Sequence, residues 1–365
     1  MINGDRIKQA REIRGLTQKK FAKLIGVNQS SVAQMEAGVI SPTDAVLQRI
    51  VLRTEFPITF FKQPNATDFP LGSLLFRARA SMTLRERNQA RQFARVIFEV
   101  VQKMETNFKK IPPRLPRSDN DPISAAIHTR SSMGLSPDSP IPNLVNTVEK
   151  NGVAVLSLPL KIKKQDAFSA WVGDGAQRPI IVISTINVPG DRLRFNVAHE
   201  LGHLVIHQAT RGDIKKIERE ATLFASEFLM PRESMLDEIT PPVTFTSLLP
   251  LKKKWRVSLQ ALIQRALHLK KITTNQYKYL MHQLSAAGYR LREPVEIPIE
   301  KPRMISQMVE MLYGNPIDYK KLANYMDLPR QLIKETIEAH ALRMPESGHS
   351  SAKRTGQILK FLKTS

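Results

Sequence analysis

The residues best suited to chemistry lie together between Asn196 and His207, in the sequence NVAHELGHLVIH. On a helix, His199 and His203 stand one turn apart on the same face, where two imidazoles can bind one metal ion. Glu200 lies beside that face and can reach a water molecule at the metal, as a general base must. The spacing therefore predicts a zinc site able to hydrolyse a substrate. Because the chain has no cysteine, its ligands must be nitrogen and oxygen atoms.

A catalytic zinc site of this kind takes a third protein ligand and leaves one position open. Two carboxylates, Glu218 and Glu220, lie at the start of EREATLFASEFLMP, which predicts an amphipathic helix that ends at Pro231. His207 continues the four-residue series of histidines, but each such step turns a side chain by about 40° around the helix. We therefore expect His207 to lie outside the coordination sphere.

Three strand-like runs precede the predicted metal helix, and they predict a small sheet against which this helix packs. The runs are Gly152 to Leu158, Asp166 to Gly173 and Arg178 to Ile186. A separate apolar stripe on the metal helix predicts its buried face, formed by Leu193, Val197, Leu201 and Leu204. The strand at Ile180 to Ser184 is expected to offer an exposed edge for backbone pairing with an extended peptide.

A second pattern, TQKKFAKLIGVNQSSVAQMEAG from Thr17 to Gly38, predicts two short helices joined by a tight turn. Thr17 and Asn28 are candidate N-caps, and Gly26 can adopt the positive φ that such a turn needs. The second helix of this motif enters the major groove of DNA, where amides and hydroxyls contact base edges. The candidate DNA-binding residues are Gln18, Gln29, Ser30, Ser31 and Gln34.

The charge of the chain favours a polyanionic partner such as double-stranded DNA, because the formal net charge is +22. The candidates for phosphate contacts are Arg11, Arg14, Lys19, Lys20 and Lys23. A generally basic surface explains the same charge, and a helical domain for protein contact explains the same helices. We find neither a signal-peptide core nor an apolar run of about 20 residues, so we expect a cytoplasmic protein with no membrane partner.

Both patterns are similar to known families. The N-terminal segment resembles the Xre/Cro-like helix-turn-helix repressors over residues 5–60, through Gln18, Ala22, Gly26, Gln29-Ser30 and Glu36-x-Gly38. The metal segment resembles the ImmA/IrrE family of metallopeptidases, where H-E-x-x-H precedes a helix of the form E-x-x-A-N-x-F-A-x-x-L-L-M-P. Counted back from Pro231, this resemblance implies Glu218 as the third zinc ligand, with Thr222 where asparagine is usual. Further similarity at Leu75 to Arg77 and at Trp255 to Leu262 extends the resemblance over roughly residues 5–298.

The resemblance implies a multidomain, mainly α protein with an N-terminal all-α helix-turn-helix bundle and an α+β zincin-like peptidase domain. It implies a DNA-binding regulator with zinc-dependent endopeptidase activity that cleaves a transcriptional repressor or an antitoxin-like protein. A homodimer is left open, since the repressor family commonly binds DNA as dimers. Two alternatives are a non-catalytic regulator whose peptidase-like domain senses metal or a partner, and a component of a toxin–antitoxin pair. The presence of Glu200 favours the enzyme.

Composition divides the chain into four predicted parts: a DNA-binding domain at 1–64, a basic helix and linker at 65–118, the peptidase domain at 119–240, and a helical region at 241–365. The amphipathic helix at 82–108 either packs on a neighbouring domain or forms a dimer contact. Residues 322–333 faintly resemble a second helix-turn-helix. Pro329 and the missing turn glycine favour an accessory helical bundle there. The basic end from Ser347 is expected to be mobile.

Overall fold

A computed structural model describes residues 1–64, 83–116, 121–160, 167–173, 178–207 and 213–340. The similarity at Leu75 to Arg77 and the basic end from Ser347 lie outside the described residues. The N-terminal helices are α1 (Gly4–Ile13), α2 (Gln18–Ile25), α3 (Gln29–Glu36), α4 (Asp44–Thr54) and a short 3-10 helix (Ile58–Lys62). They are followed by α5 (Leu84–Glu105), α6 (Pro122–Ser132), α7 (Leu144–Lys150), β1 (Ala154–Leu158), β2 (Ala167–Val172) and β3 (Arg178–Ser184).

The remaining elements are all helical. They are α8 (Gly190–Ile206), α9 (Ile214–Leu229), α10 (Arg232–Glu238), α11 (Phe245–Trp255), α12 (Leu259–His268), α13 (Thr274–Ala286), α14 (Met304–Tyr313), α15 (Tyr319–Met326) and α16 (Arg330–His340). This mainly helical fold with one small sheet confirms the predicted fold class. Among the described residues, no helix has both the length and the apolar character that crossing a bilayer requires.

The N-terminal helices begin and end where the capping residues predict. The Thr17 hydroxyl accepts a hydrogen bond from the Lys20 amide at 3.2 Å, so α2 begins at the next residue. Gly26 ends α2 in the left-handed region, with φ at 67°. The Asn28 side chain then accepts a hydrogen bond from the Ser31 amide at 2.7 Å and starts α3. These three positions confirm the predicted helix-turn-helix.

The sheet has the strand order β1-β3-β2, with β1 parallel and β2 antiparallel to β3. Its central strand is therefore β3. The prediction that Ile180 to Ser184 offers a free edge is wrong, because both sides of that strand are already paired. The edge strand next to the metal helix is β2, which packs against α8.

Both faces of this sheet are buried, and each face belongs to a different hydrophobic core. Strand residues alternate between the two faces. On β3, Ile180 and Val182 lie in a core shared with α1 to α5 and α14 to α16. Ile181 and Ile183 lie in the core of α6 to α9 and α11 to α13. The sheet thus separates the helix-turn-helix and the C-terminal helices from the helices that carry the predicted metal ligands.

Helix α5 joins the N-terminal helices to the sheet. Its apolar residues, including Phe93 and Val101, are buried within the chain, as the connecting-helix interpretation requires. Polar contacts fix it against α1: the Gln92 amide donates to Glu12 at 2.8 Å, and Arg6 pairs with Glu99 at 2.7 Å. The helix-turn-helix is therefore anchored to the rest of the molecule by packing and by charge.

The C-terminal helices α14 to α16 pack on the face of the sheet that also contacts α5 and the N-terminal helices, as expected of an accessory bundle. His340 at the end of α16 is fully buried beside β1. Its Nε2 atom accepts a hydrogen bond from the Ser157 amide at 2.9 Å, and its Nδ1 atom donates to the Thr336 carbonyl at 2.6 Å. Both contacts fit a neutral imidazole, and burial lowers the pKa of His340 from 6.5 to about 4.

We predict an acid-dependent loss of stability from His340. The neutral ring is favoured in the folded state, so its stabilising contribution is complete above pH 6.5 and is lost as the pH falls towards 4. Over that window the contribution to the free energy of unfolding falls by about 3 kcal/mol. Denaturant unfolding at several pH values should show a shallower pH dependence for His340→Gln than for the wild type.

The matched control is His128→Gln, which removes an exposed histidine on α6. Its pH dependence should equal that of the wild type. Equal slopes for the wild type and both variants between pH 6.5 and 4 would show that His340 does not contribute this term.

Candidate metal centre

Helix α8 is held in place at its start and along its apolar stripe. A Cβ atom at Gly190 would lie 2.2 Å from the Ile297 carbonyl oxygen, so only glycine allows the helix to begin this close to that segment. The predicted buried face is confirmed, since Leu193, Val197 and Leu201 are fully buried and Leu204 nearly so. The histidines leave α8 on another side, towards α9.

A second glycine brings α8 close to α9. A Cβ atom at Gly202 would lie 2.9 Å from the Phe224 ring. That ring is fully buried and stacks on Phe228 with ring centroids 5.6 Å apart, so it has no room to retreat. The two helices therefore pack at a distance that only glycine permits at this position.

This packing brings the three predicted ligands together. The Nε2 atoms of His199 and His203 lie 3.1 Å apart. Each of these atoms lies 3.4 Å from an oxygen of the Glu218 carboxylate. Both histidines are buried, while Glu218 is partly exposed. Among the described residues, these three form the group of side chains able to hold a metal ion, with one ligand atom of each within 4.8 Å of the others.

The donor set fits zinc. Zinc bonds of 2.0 to 2.2 Å in a tetrahedron place neighbouring ligand atoms about 3.3 Å apart. The two imidazole nitrogens lie 3.1 Å apart, near that edge length, and each lies 3.4 Å from a different oxygen of the Glu218 carboxylate. Two imidazoles and one carboxylate also leave a fourth position for water or substrate. Glu218 is partly exposed, so the group can be reached from solvent on its side.

The contacts behind His199 orient its ring. The Thr222 hydroxyl donates its hydrogen to the Glu218 carbonyl at 2.8 Å, so it can only accept from the His199 Nδ1 atom, 3.4 Å away. The proton then lies on Nδ1, and the lone pair on Nε2 faces the other ligands. Thr222 replaces the asparagine of the family pattern and still contacts the ligand from behind.

A similar chain of contacts orients His203. The His207 ring places Nε2 3.0 Å from a Glu220 oxygen and Nδ1 3.1 Å from the His203 Nδ1 atom. Burial lowers the pKa of His207, which favours a neutral ring that donates to Glu220 and accepts from His203. His207 thus supports a ligand from behind, which confirms that it lies outside the ligand group. Glu220 contacts His207, whereas Glu218 faces His199 and His203.

Glu200 is fully buried beside the ligands, where the Ser169 hydroxyl donates to its Oε2 atom at 2.8 Å. Sequence reasoning missed Ser169. Strand alternation places Ser169 and Trp171 on the face of β2 opposite Phe168, but only the structure shows that this face turns towards α8, where the Trp171 indole donates to the Leu204 carbonyl at 3.0 Å. A polar residue on the strand face turned towards the metal helix is a natural partner for Glu200.

A cavity of about 1470 Å³ opens beside Glu218 and Thr222. It runs between α8 and α9 on one side and α12 and residues 289–299 on the other. Of the three grouped side chains, Glu218 lines this space, which is large enough for a peptide segment, and His199 and His203 do not.

The structure also places the candidate DNA-binding residues. Gln29, Ser30 and Gln34 are exposed on α3 and Ser31 is half-buried, whereas the Gln18 amide donates to Glu36 at 2.9 Å. The predicted phosphate contact of Arg11 is wrong. Its guanidinium is buried and forms a two-point contact with the Glu36 carboxylate, so it braces α1 against α3.

The other basic candidates differ in exposure. Arg14 pairs with Glu55 at 2.7 Å and donates to the Thr54 carbonyl. The exposed lysines of α2 extend into solvent: Lys19, Lys20 and Lys23.

Comparisons with known proteins agree with both motifs. Residues 148–267 match the family model described as IrrE N-terminal-like domain, a peptidase family, and residues 7–61 match the helix-turn-helix family model. These two matches confirm the resemblance stated from the motifs. The predicted peptidase limits of 119 and 240 differ from the matched span and stay predictions.

Among solved structures, the chain matches the crystal structure of Bacillus thuringiensis PlcR in complex with the peptide PapR7 and DNA over most of both chains. It shows 12% identity and a TM-score of 0.16, over 92% of this chain and 95% of that chain. A TM-score this low supports no statement about fold or function. No curated protein matches the chain.

We predict that Glu218 binds zinc and that Glu220 does not. Substitution of a residue that only supports a ligand lowers metal affinity by about 10- to 100-fold. Glu218→Gln removes a charged ligand itself, so its zinc affinity should fall by more than that. Glu220→Gln keeps an oxygen that accepts from His207, so its zinc affinity should stay within about tenfold of the wild type. Competition with a fluorescent zinc chelator measures both. Equal affinities for the two variants would exclude Glu218 as a ligand.

Proposed function

We propose that this chain, which joins a helix-turn-helix domain to an IrrE N-terminal-like domain, is a DNA-binding regulator with zinc-dependent endopeptidase activity. The observation that carries the proposal is the approach of His199, His203 and Glu218 to within hydrogen-bonding distances of one another, with the Glu200 carboxylate buried beside them. In this proposal the three side chains hold the zinc ion and Glu200 is the general base.

The chemistry follows from the position of each side chain. Zinc bound by the three ligands supplies Lewis acidity towards a peptide carbonyl and towards water. Glu200 takes the proton from the attacking water and later gives it to the leaving amine nitrogen. Ser169 holds one carboxylate oxygen of Glu200 and so orients the carboxylate that takes the proton. Thr222 and His207 keep the two imidazoles in the orientation that binds the ion.

The proposed substrate is a protein, in particular a transcriptional repressor or an antitoxin-like protein. The edge strand β2 lies against α8, where an extended peptide can pair with its backbone. The cavity beside Glu218 offers room for the residues next to the cleaved bond. A chain bound to DNA through its helix-turn-helix also holds its catalytic residues at high effective concentration near other proteins on the same DNA.

Glu200→Gln tests the enzymatic part of this proposal. The amide cannot take the proton, so we expect cleavage to fall by about 100-fold or more with zinc still bound. Cells that produce the wild type should contain new protein N-termini, found by mass spectrometry, that are absent from cells producing Glu200→Gln. The same N-termini with both proteins would contradict the peptidase. No new N-termini, with zinc bound, would favour the regulator that only senses metal or a partner.

Two substitutions test the DNA-binding part on a sequence selected from random DNA with the full chain. Gln29→Ala should lower the preference for that sequence by about 10- to 100-fold, because an exposed amide at the start of α3 is placed for a base edge. Lys19→Ala should weaken binding to all sequences and reduce the slope of log affinity against log salt by about one. If Gln29→Ala and Lys19→Ala changed the sequence preference equally, the base contact of Gln29 and the phosphate contact of Lys19 would both be contradicted.

A further inference from the structure

The cavity beside the metal centre has a wall of arginines. Five of them line it with exposed side chains: Arg192, which adjoins Asp191, and the four residues Arg219, Arg232, Arg290 and Arg292. Within the described part of the chain, none of these last four forms a salt bridge, although Arg290 donates to the Ser285 hydroxyl. Arg219 follows the proposed ligand Glu218 directly in the chain, and both residues line the cavity. A guanidinium presents a planar set of donors that matches a carboxylate.

Most carboxylates around the cavity already have cationic partners. Asp191 and Glu293 both contact the ammonium group of Lys252, which is fully buried behind the wall. Glu227 pairs with the buried Arg265. These contacts satisfy the acidic groups from within the protein, so they do not neutralise the four exposed arginines that form no salt bridge.

Two further carboxylates line the cavity: Glu218 is assigned to the metal, and Glu296 is exposed. Among the described residues that line the cavity, one carboxylate, Glu296, therefore stands without a cationic partner against five exposed guanidinium groups. The cavity also has apolar lining at Phe195, Leu223 and Ile297, which suits the side chains of a peptide. The positive charge of the arginines and this apolar lining together favour an occupant that carries negative charge and apolar side chains.

We propose that the cavity binds an extended acidic segment of the protein substrate, whose Asp or Glu side chains pair with Arg219, Arg232, Arg290 and Arg292. The inference rests on the proposed peptidase function and names its substrate class. A peptide is favoured over a nucleic acid because the cavity is lined by the proposed ligand Glu218 and is partly apolar, whereas the proposed DNA-reading helix α3 packs into the core on the other side of the sheet.

Binding can be measured without cleavage in the zinc-loaded, full-length Glu200→Gln protein. The probes are two fluorescein-labelled decapeptides, one of alternating Ala and Glu and one of alternating Ala and Gln, followed by fluorescence anisotropy. The Glu peptide should bind about tenfold more tightly, a difference that several exposed ion pairs can supply. The difference should shrink as salt is added.

The double variant Arg219→Glu/Arg292→Glu should lose about tenfold in affinity for the Glu peptide and little for the Gln peptide. Its matched control is Lys253→Glu/Lys278→Glu, which makes the same change of net charge at exposed positions outside the cavity. The control should bind both peptides as the parent does. If the double variant does not fold, Arg292→Glu alone makes the same test outside regular secondary structure, with about half the effect on a logarithmic scale.

Equal binding of the two peptides, or an equal loss in the control, would overturn the proposal even if the wild type cleaves proteins. Arginine-dependent binding of the Glu peptide supports it even if no cleavage is found, in which case the peptidase proposal fails separately. A ten-nucleotide oligothymidylate serves as competitor. If it displaces the Glu peptide and binds more tightly through the same arginines, the cavity is a nucleic-acid site and the proposal is wrong.

Discussion

The packing of α8 on α9 at Gly202 is the contact on which the metal centre depends. Glu218 belongs to α9 and the two histidines to α8, so the distance between these helices sets the distance between the ligands. Phe224 is buried against Gly202 and stacks on Phe228, which leaves no space for a Cβ atom between the helices. Because a functional site tolerates displacements of only about 0.5 Å, a side chain at position 202 that pushed the helices apart would disturb the grouping of the three candidate ligands.

The sheet connects this centre to the DNA-binding half. Phe168 and Ser169 are neighbours on β2: the first packs into the core shared with the N-terminal helices, and the second holds Glu200. A displacement of β2 therefore moves groups on both sides. The apolar residues of α5 extend the same core to α1, and the Gln92 amide also donates a hydrogen bond to Glu12. The helix-turn-helix and the candidate metal centre thus pack on opposite faces of one closely packed sheet.

Much of the local structure could be predicted because local rules govern it. The caps at Thr17 and Asn28 and the left-handed Gly26 follow from side-chain chemistry within a few residues. The order of the strands depends on pairing between distant segments, and the edge was therefore assigned to the wrong strand. Arg11 shows the same limit: its charge suggests phosphate, but Glu36, 25 residues away, takes its guanidinium. The role of Ser169 required the strand to be placed against α8 before it could be recognised.

The central claim is that two imidazoles and the Glu218 carboxylate bind one zinc ion. X-ray absorption at the zinc edge of the full-length protein, loaded with one equivalent of zinc, measures the ligand types and distances directly. The account predicts two histidine ligands and oxygen ligands at about 2.0 to 2.2 Å, in four- or five-coordinate geometry. A spectrum with six oxygen ligands and no histidine scattering, or zinc removed by simple dialysis, would contradict it.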